Sequence, residues 1–252
     1  MAEVTRAVAP NPGPYTGPGT NTWIVGGGPV AVVIDPGPDV DTHLAAIERR
    51  LRGVPVGAVL LTHAHLDHAP LAARLAGVHG CRVLAHADLE DGDVVRAGAL
   101  SLTALRTPGH SSDHLCFWME DDRAAFTGDL VLGGGSTMVA HPDGDMAAYL
   151  ASLERLTALG PRILFPGHWD PVLEAGPKLD EYRRHRLARE AQVLAELARA
   201  PGTARALTER IYAGEVGPEL MGAAEMTLRA HLAKLAAEGR VEVSGKTYRL
   251  RG

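Results

Sequence analysis

Up to about Pro177, apolar residues fall in short runs, each closed by Gly, Pro, Asp or His, a pattern of buried strands punctuated by turns. From Thr22 to Val33, two such runs flank Gly26-Gly27-Gly28-Pro29 and predict a β-hairpin, closed by Asp35-Pro36-Gly37. The glycine run precedes a strand instead of a helix, so it reads as a turn and not as a phosphate cradle. Within Asp41–Arg52, Leu44, Ile47 and Leu51 stand at helical spacing with Asp41 as the expected cap, and Val56–Leu61 follows as a short buried strand. Further strands are predicted at Arg82–Ala85, Leu100–Arg106, Leu115–Glu120, Arg123–Phe126 and Ile163–Phe165, with helices at His68–Ala76 and Met146–Leu159. Strands alternating with helices in this way imply a layered α/β sandwich.

Beyond Pro177 the pattern changes. A long helix is predicted over about Leu179–Ala200, a break at Pro201-Gly202, helices at about Ala204–Ala213 and Ala223–Glu238, and a hairpin of Val241–Val243 and Thr247–Leu250 turning through Ser244-Gly245-Lys246. Helix, helix, hairpin is the order of a winged helix. The charge changes at the same place: residues 1–177 carry 11 basic and 20 acidic side chains, and residues 178–252 carry 14 and 10. The chain therefore divides into a domain of residues 1–177, expected to be catalytic, and a helical linker with a winged-helix-like domain over 178–252.

Composition narrows the class. With 252 residues, 46% hydrophobic and 22% charged, the chain can bury a sizeable core, which excludes wholesale disorder. No apolar run is long enough for a membrane span, and Met1–Pro10 lacks a secretory pattern, so a cytoplasmic location without a membrane partner is expected. Cys81 and Cys116 sit in strand-like surroundings and read as small buried thiols, not a disulfide framework.

The twelve histidines carry the chemistry. The strand Val56–Leu61 runs into Thr62-His63-Ala64-His65-Leu66-Asp67-His68, four ligand-type side chains in six positions, which repel one another unless a cation holds them. His110 in Thr107-Pro108-Gly109-His110, Asp129 in Thr127-Gly128-Asp129 and His168 in Pro166-Gly167-His168 each follow a short strand and a turn residue. Together they make five histidines and two aspartates, enough donors for two metals. His43, His79 and His86 lack such context and are expected to face solvent.

The H-x-H-x-D-H run of His63–His68, followed in order by His110, Asp129 and His168, resembles the metallo-β-lactamase fold hydrolases. Asn11-Pro12-Gly13-Pro14, Gly19-Thr20-Asn21-Thr22, Asp113-His114, Leu132-Gly133, and His185-Arg186 with Arg189-Glu190 are similar to the β-lactamase-like protein 2 group within them. The resemblance implies a four-layer αββα sandwich with a C-terminal winged-helix-like domain. It implies that His63, His65 and His110 hold one zinc, that Asp67, His68 and His168 hold a second, and that Asp129 bridges them, with manganese or iron as alternatives. Two such ions share a water that becomes hydroxide near neutral pH, which Asp67 orients as the catalytic carboxylate. Asn21, His114, Tyr149 and His185 are implied as substrate or supporting contacts, each also readable as a cap, core group or turn former. The chain departs from the family at Trp169, where a small residue is usual; a packed indole and a pocket wall or stacking platform are both open.

Three functions follow. The resemblance first implies cleavage of single-stranded RNA, which Arg183, Arg184, Arg186 and Arg189, with Arg240, Lys246, Arg249 and Arg251, would guide electrostatically. The same cations equally suit a solvated, arginine-rich face. The alternative is hydrolysis of a small acyl-thioester, as in the glyoxalase II-like and carrier-protein thioesterase branches. A DNA-binding regulator reading through Ala223–Glu238 is disfavoured because that helix is mostly apolar, so duplex DNA is not an expected partner and the helix should pack, dimerise the chain or cover the active site.

Overall fold

In the computed structural model, which describes residues 2–26 and 28–251, β1 (Glu3–Val8), β2 (Asn21–Gly26) and β3 (Ala31–Ile34) are followed by α1 (Asp41–Leu51), β4 (Val56–Leu60), α2 (Ala72–His79) and β5 (Arg82–Leu84). Next come β6 (Val94–Ala97), β7 (Leu100–Arg106), β8 (Leu115–Met119), β9 (Ala124–Gly128), α3 (Met146–Leu159) and β10 (Ile163–Pro166). The C-terminal part holds α4 (Ala175–Arg199), β11 (Gly202–Thr203), α5 (Ala204–Ile211), α6 (Met221–Ala237), β12 (Val241–Ser244) and β13 (Thr247–Leu250). No helix among the described residues is long and apolar enough to cross a membrane.

Two five-stranded sheets, ordered β1-β2-β3-β4-β5 and β10-β9-β8-β7-β6, pack face to face. The period of two along each strand divides the side chains: Trp23 and Val25 of β2, with Val32 and Ile34 of β3, point inward against Leu102, Phe117 and Phe126 of the second sheet. Ile24 and Val33 point outward against Ile47 and Leu51 of α1 and Leu75 of α2. On the opposite outer face, Cys116, Trp118 and Ala125 pack against Met146, Leu153 and Leu156 of α3 and Leu179 of α4. The result is helix, sheet, sheet, helix. Strands covered on both faces are buried at every position, as β8 and β9 are, which explains their unbroken apolar sequence.

The C-terminal part has its own core, in which Leu207, Ile211, Leu228, Leu232, Leu235 and Val241 meet Val193 and Leu197 of α4. α4 thus contributes its first half to the sandwich and its second half to the winged helix. It begins before the charge change and carries Pro177 in its first turn, where an amide N–H has no acceptor within the helix.

Several expectations change. β1 and β6 were not legible, because both lie at or near sheet edges with mixed polar sequence. Asp41 is not a cap: Val40 occupies that position without a side-chain bond, and Asp41 pairs with Arg74 at 2.6 Å. The second helix starts at Ala72, since His65–Leu71 is spent in tight turns. His43 is buried and not solvent-facing; its Nε2 lies 2.9 Å from Thr22 Oγ1. Both cysteines are free thiols, Cys116 buried and Cys81 half-buried. The strands of the first hairpin pair with Trp23 opposite Ile34, while Gly27 of its turn lies outside the described residues.

Candidate metal centre

Four strand ends supply the chemistry. The His63–His68 turn follows β4 of the first sheet, and His110, Asp129 and His168 follow β7, β9 and β10 of the second. The sheets are tied at this edge by the Leu115 N–H donating to the Thr62 carbonyl at 2.7 Å. Glycine is required where these loops crowd. Gly109 has φ +139 and its Cα lies against the Tyr149 backbone, and a Cβ on Gly167 would stand 2.7 Å from Asp129 Oδ1 and from His68 Cε1.

The seven candidate ligands converge. His63 Nε2 lies 2.9 Å from His65 Nδ1, which lies 3.1 Å from His110 Nε2. His68 Nε2 and His168 Nε2 are 3.3 Å apart, with Asp67 Oδ2 at 3.4 and 3.2 Å from them. Asp129 spans both groups: Oδ2 is 3.6 Å from His110 Nε2, and Oδ1 is 3.5 and 3.4 Å from His68 and His168. Donors on a tetrahedral cation with bonds of about 2.0–2.1 Å sit roughly 3.3 Å apart, so these spacings match a coordination shell. Asp129 Oδ1 is also buried without a hydrogen-bond donor, the position of a carboxylate oxygen meant for a cation.

A supporting layer fixes the ring orientations. Asp35 Oδ2 accepts from His68 Nδ1 at 2.9 Å and from Thr62 Oγ1 at 2.6 Å, and that hydroxyl lies 3.0 Å from His63 Nδ1. His110 Nδ1 donates to the Met138 carbonyl at 2.7 Å. With Nδ1 turned to these acceptors, Nε2 of each ring is the nitrogen that would meet a cation at the centre. Sequence reasoning missed Asp35, although it shares the acid-after-apolar-strand setting of Asp129. Asp113 ties two ligand loops, accepting from the Ala64 N–H and the Ser111 hydroxyl.

Burial lowers the pKa of His63, with the neighbouring His68 adding to it. Burial opposes charge on His68 and His168 too, but Asp129 and adjacent carboxylates override it; His68 is raised well above its ordinary value and His168 to about 9. Asp67 and Asp129 are held well below the usual carboxylate range despite burial, by the same histidines. Both carboxylates are therefore ionised, as ligands must be.

A cavity of about 610 Å³ opens over this centre. Asp67, His110, Asp129 and His168 form one wall with Trp169 and Tyr15, and His185, Arg186 and Arg189 of α4 with Ala223, Ala224 and Thr227 of α6 form the other. Of the expected substrate contacts, His185 and Trp169 line it. Asn21, His114 and Tyr149 do not line it, and each is instead hydrogen-bonded within the fold. Asn21 Nδ2 donates to the carbonyls of Pro166 and Trp169, and the buried Tyr149 hydroxyl donates to the Leu130 carbonyl at 2.6 Å. His114 accepts the Asp129 N–H on Nε2 at 3.1 Å; burial, then His110, lowers its pKa to about 3, so it stays a neutral acceptor. Trp169 is both packed and pocket-forming: its backbone sits at φ +63, its carbonyl is held by Asn21 and Arg6, and its indole rests against Gly17 and Gly134. The helix considered as a DNA reader, α6, is buried along Ala223, Ala224, Thr227, Leu228 and His231, with Thr227 Oγ1 accepting the Val139 N–H.

Residues 15–91 and 84–168 match the metallo-beta-lactamase superfamily, and residues 203–249 match the beta-lactamase associated winged helix domain. The chain is 29% identical over 258 residues to the Beta-lactamase-like protein 2 homolog of Caenorhabditis elegans, covering 95% of this chain and 86% of that protein. It is 36% identical over 207 residues to the Atrochrysone carboxyl ACP thioesterase of Aspergillus chevalieri, covering 77% of this chain and 65% of that one. Its fold superposes on a metallo-beta-lactamase family protein of Thermus thermophilus with a TM-score of 0.83, at 24% identity and 98% coverage of both chains. With the family matched over most of the sandwich and its donor set gathered at one edge, the chain belongs to the metallo-beta-lactamase superfamily and is a metal-dependent hydrolase.

Proposed function

We propose that the protein hydrolyses a small acyl thioester at a dinuclear zinc centre. His63, His65 and His110 would hold one ion, Asp67, His68 and His168 the other, and Asp129 both; manganese or iron suits the same donors. Divalent cations held there would supply Lewis acidity and lower the pKa of water toward about 7. The half-buried Asp67 is the ionised carboxylate that faces the cavity beside them and orients the attacking water by accepting its hydrogen. Trp169 and Tyr15 wall the reacting end, and Asn21 keeps the Trp169 loop in place.

The observation that carries this reading is the modest volume and largely apolar lining of the cavity. At about 610 Å³, with α4 and α6 lining one side, it suits a small acyl group better than a polynucleotide track. The thioesterase named among the relatives agrees with it. Cleavage of single-stranded RNA is the second reading, since the donor set serves a phosphoryl centre equally and two arginines line the cavity. Much of the remaining positive surface is already paired: Arg184 with Asp180 at 2.8 Å, Arg240 with Glu190 at 2.8 Å and Arg249 with Glu242 at 2.8 Å. One assay separates the readings. Labelled single-stranded RNA, duplex DNA and an acyl-thioester are given side by side to metal-loaded and metal-stripped protein. Thioester turnover that vanishes on stripping is expected, whereas RNA cleavage without thioester turnover would overturn it.

A further inference from the structure

Arg186 and Arg189 stand one turn apart on α4, at 3% and 7% exposure, and both line the cavity beside the metal ligands. Arg189 has a counter-charge: Nη2 meets Glu215 Oε2 at 2.6 Å, and its guanidinium lies 4.0 Å from the centre of the Tyr212 ring. Arg186 has none. It donates from Nη2 to the Thr137 carbonyl and lies 5.1 Å from the centre of the Tyr149 ring, yet no carboxylate among the described residues pairs with it. Arg186 Nε and Arg189 Nη1 are buried without acceptors. The nearby His231 offers no charge, being buried and neutral with both ring nitrogens unpaired. A desolvated guanidinium with free donors and no anion is costly unless an anion is to be received.

Its placement relates it to the reaction. Thr137 donates its hydroxyl to the Asp129 carbonyl at 2.8 Å while its own carbonyl receives Arg186. One residue thus links the cation to the backbone of Asp129, whose side chain spans both ligand groups. Leu132, Val216, Leu220 and Ala223 contribute apolar wall to the same cavity, so a hydrocarbon segment fits beside the charged end.

Building on the acyl-hydrolase reading, we propose that Arg186, assisted by Arg189, forms an oxyanion-binding subsite. The acyl group of the substrate then carries an anionic group, a carboxylate, joined by a short hydrocarbon to the carbonyl that is attacked. Guanidinium donors in a fixed fork suit a planar carboxylate, and charge-assisted bonds of this kind discriminate strongly against a neutral isostere.

The test pairs succinyl-N-acetylcysteamine with its neutral succinamyl analogue as substrates, and titrates metal-stripped protein calorimetrically with succinate and with inorganic phosphate. We expect kcat/KM to favour the succinyl thioester by about tenfold or more, corresponding to one charge-assisted contact. That preference should fall toward one in Arg186→Gln, fall less in Arg186→Lys, and drop also in Arg189→Gln, which covers the case of an Arg186 variant that does not fold. Succinate binding to stripped wild-type protein should be lost in the same variants. Equal turnover of both thioesters overturns the subsite and leaves the acyl-hydrolase reading intact. Turnover of neither overturns that reading, and succinate titration then decides the subsite alone: no binding, or binding unchanged in the variants, removes it. Phosphate bound more tightly than succinate supports the subsite and assigns its ligand as a phosphoryl group.

Discussion

Asp35 coordinates nothing in the cluster, yet it holds His68 directly and His63 through Thr62, so it sets where two rings point. Asp35→Asn keeps all seven donors and removes the charge behind them. Metal affinity should drop roughly 10–100-fold, read by competition with a chromogenic chelator; unchanged affinity would remove the role assigned to Asp35. His43 poses the converse case, a histidine buried away from the cluster. Burial, with Arg50 adding repulsion, lowers its pKa to about 4. The unfolded value is near 6.5, so above that pH neither state binds the proton and His43 has no effect on the pH dependence. Between about pH 6.5 and 4 the unfolded chain binds protons that the folded one refuses, and stability declines by at most about 3 kcal/mol in all. His43→Gln should flatten the fall in urea-unfolding stability across that window; an identical slope would show that His43 does not titrate as described. The His63–His68 run was legible because its chemistry lies in consecutive side chains. Asp35 and His43 were not, because each takes its role from what faces it across the fold.

At the level of elements, the long strands and α3 follow directly from local pattern: Leu100–Arg106 and Met146–Leu159 are found at their expected bounds. α3 is capped as its sequence allows, Asp145 accepting the Ala148 N–H at 2.8 Å. The start of α2 was not legible, since the turns that aim His65, Asp67 and His68 displace a helix that local propensity would begin earlier. α6 shows a second limit. Its apolar surface left packing, dimerisation and coverage of the site all open, and its buried face against the C-terminal core and the cavity depends on tertiary contacts. Leu228 is fully buried among α4, α5 and α6, so Leu228→Ala should cost about 2–5 kcal/mol through lost burial and the cavity left behind. Denaturant titration followed by circular dichroism measures this, and a loss below about 1 kcal/mol would mean that the C-terminal core is looser than its packing indicates.

For the whole molecule, the ligands arise from loops of both sheets, so a bound cation links the two halves of the sandwich as well as serving the reaction. Metal should therefore stabilise the native state by mass action, about 2.7 kcal/mol for each ion at one hundred times its Kd. In a chain of this size, that corresponds to a fall of roughly 5–10 °C in Tm per ion on chelation, measured by differential scanning calorimetry at constant pH and ionic strength. No change in Tm would show that the cluster does not hold metal in the folded state. The C-terminal part reaches the same centre from outside the sandwich, since α4 and α6 line the cavity beside it.

The sequence by itself determined the layered architecture, the order of helix, helix and hairpin after Pro177, and the identity of the donor-type side chains, because periodicity and ligand chemistry are local properties. The tertiary structure alone decided which side chains face the cavity. It kept Asn21, His114 and Tyr149 out of the cavity lining and His185 and Trp169 in it, buried His43, and placed Arg186 beside the centre with no carboxylate among the described residues paired to it. These assignments depend on burial and on partners distant in the chain, and both are fixed only when the two sheets and the C-terminal helices close around one edge.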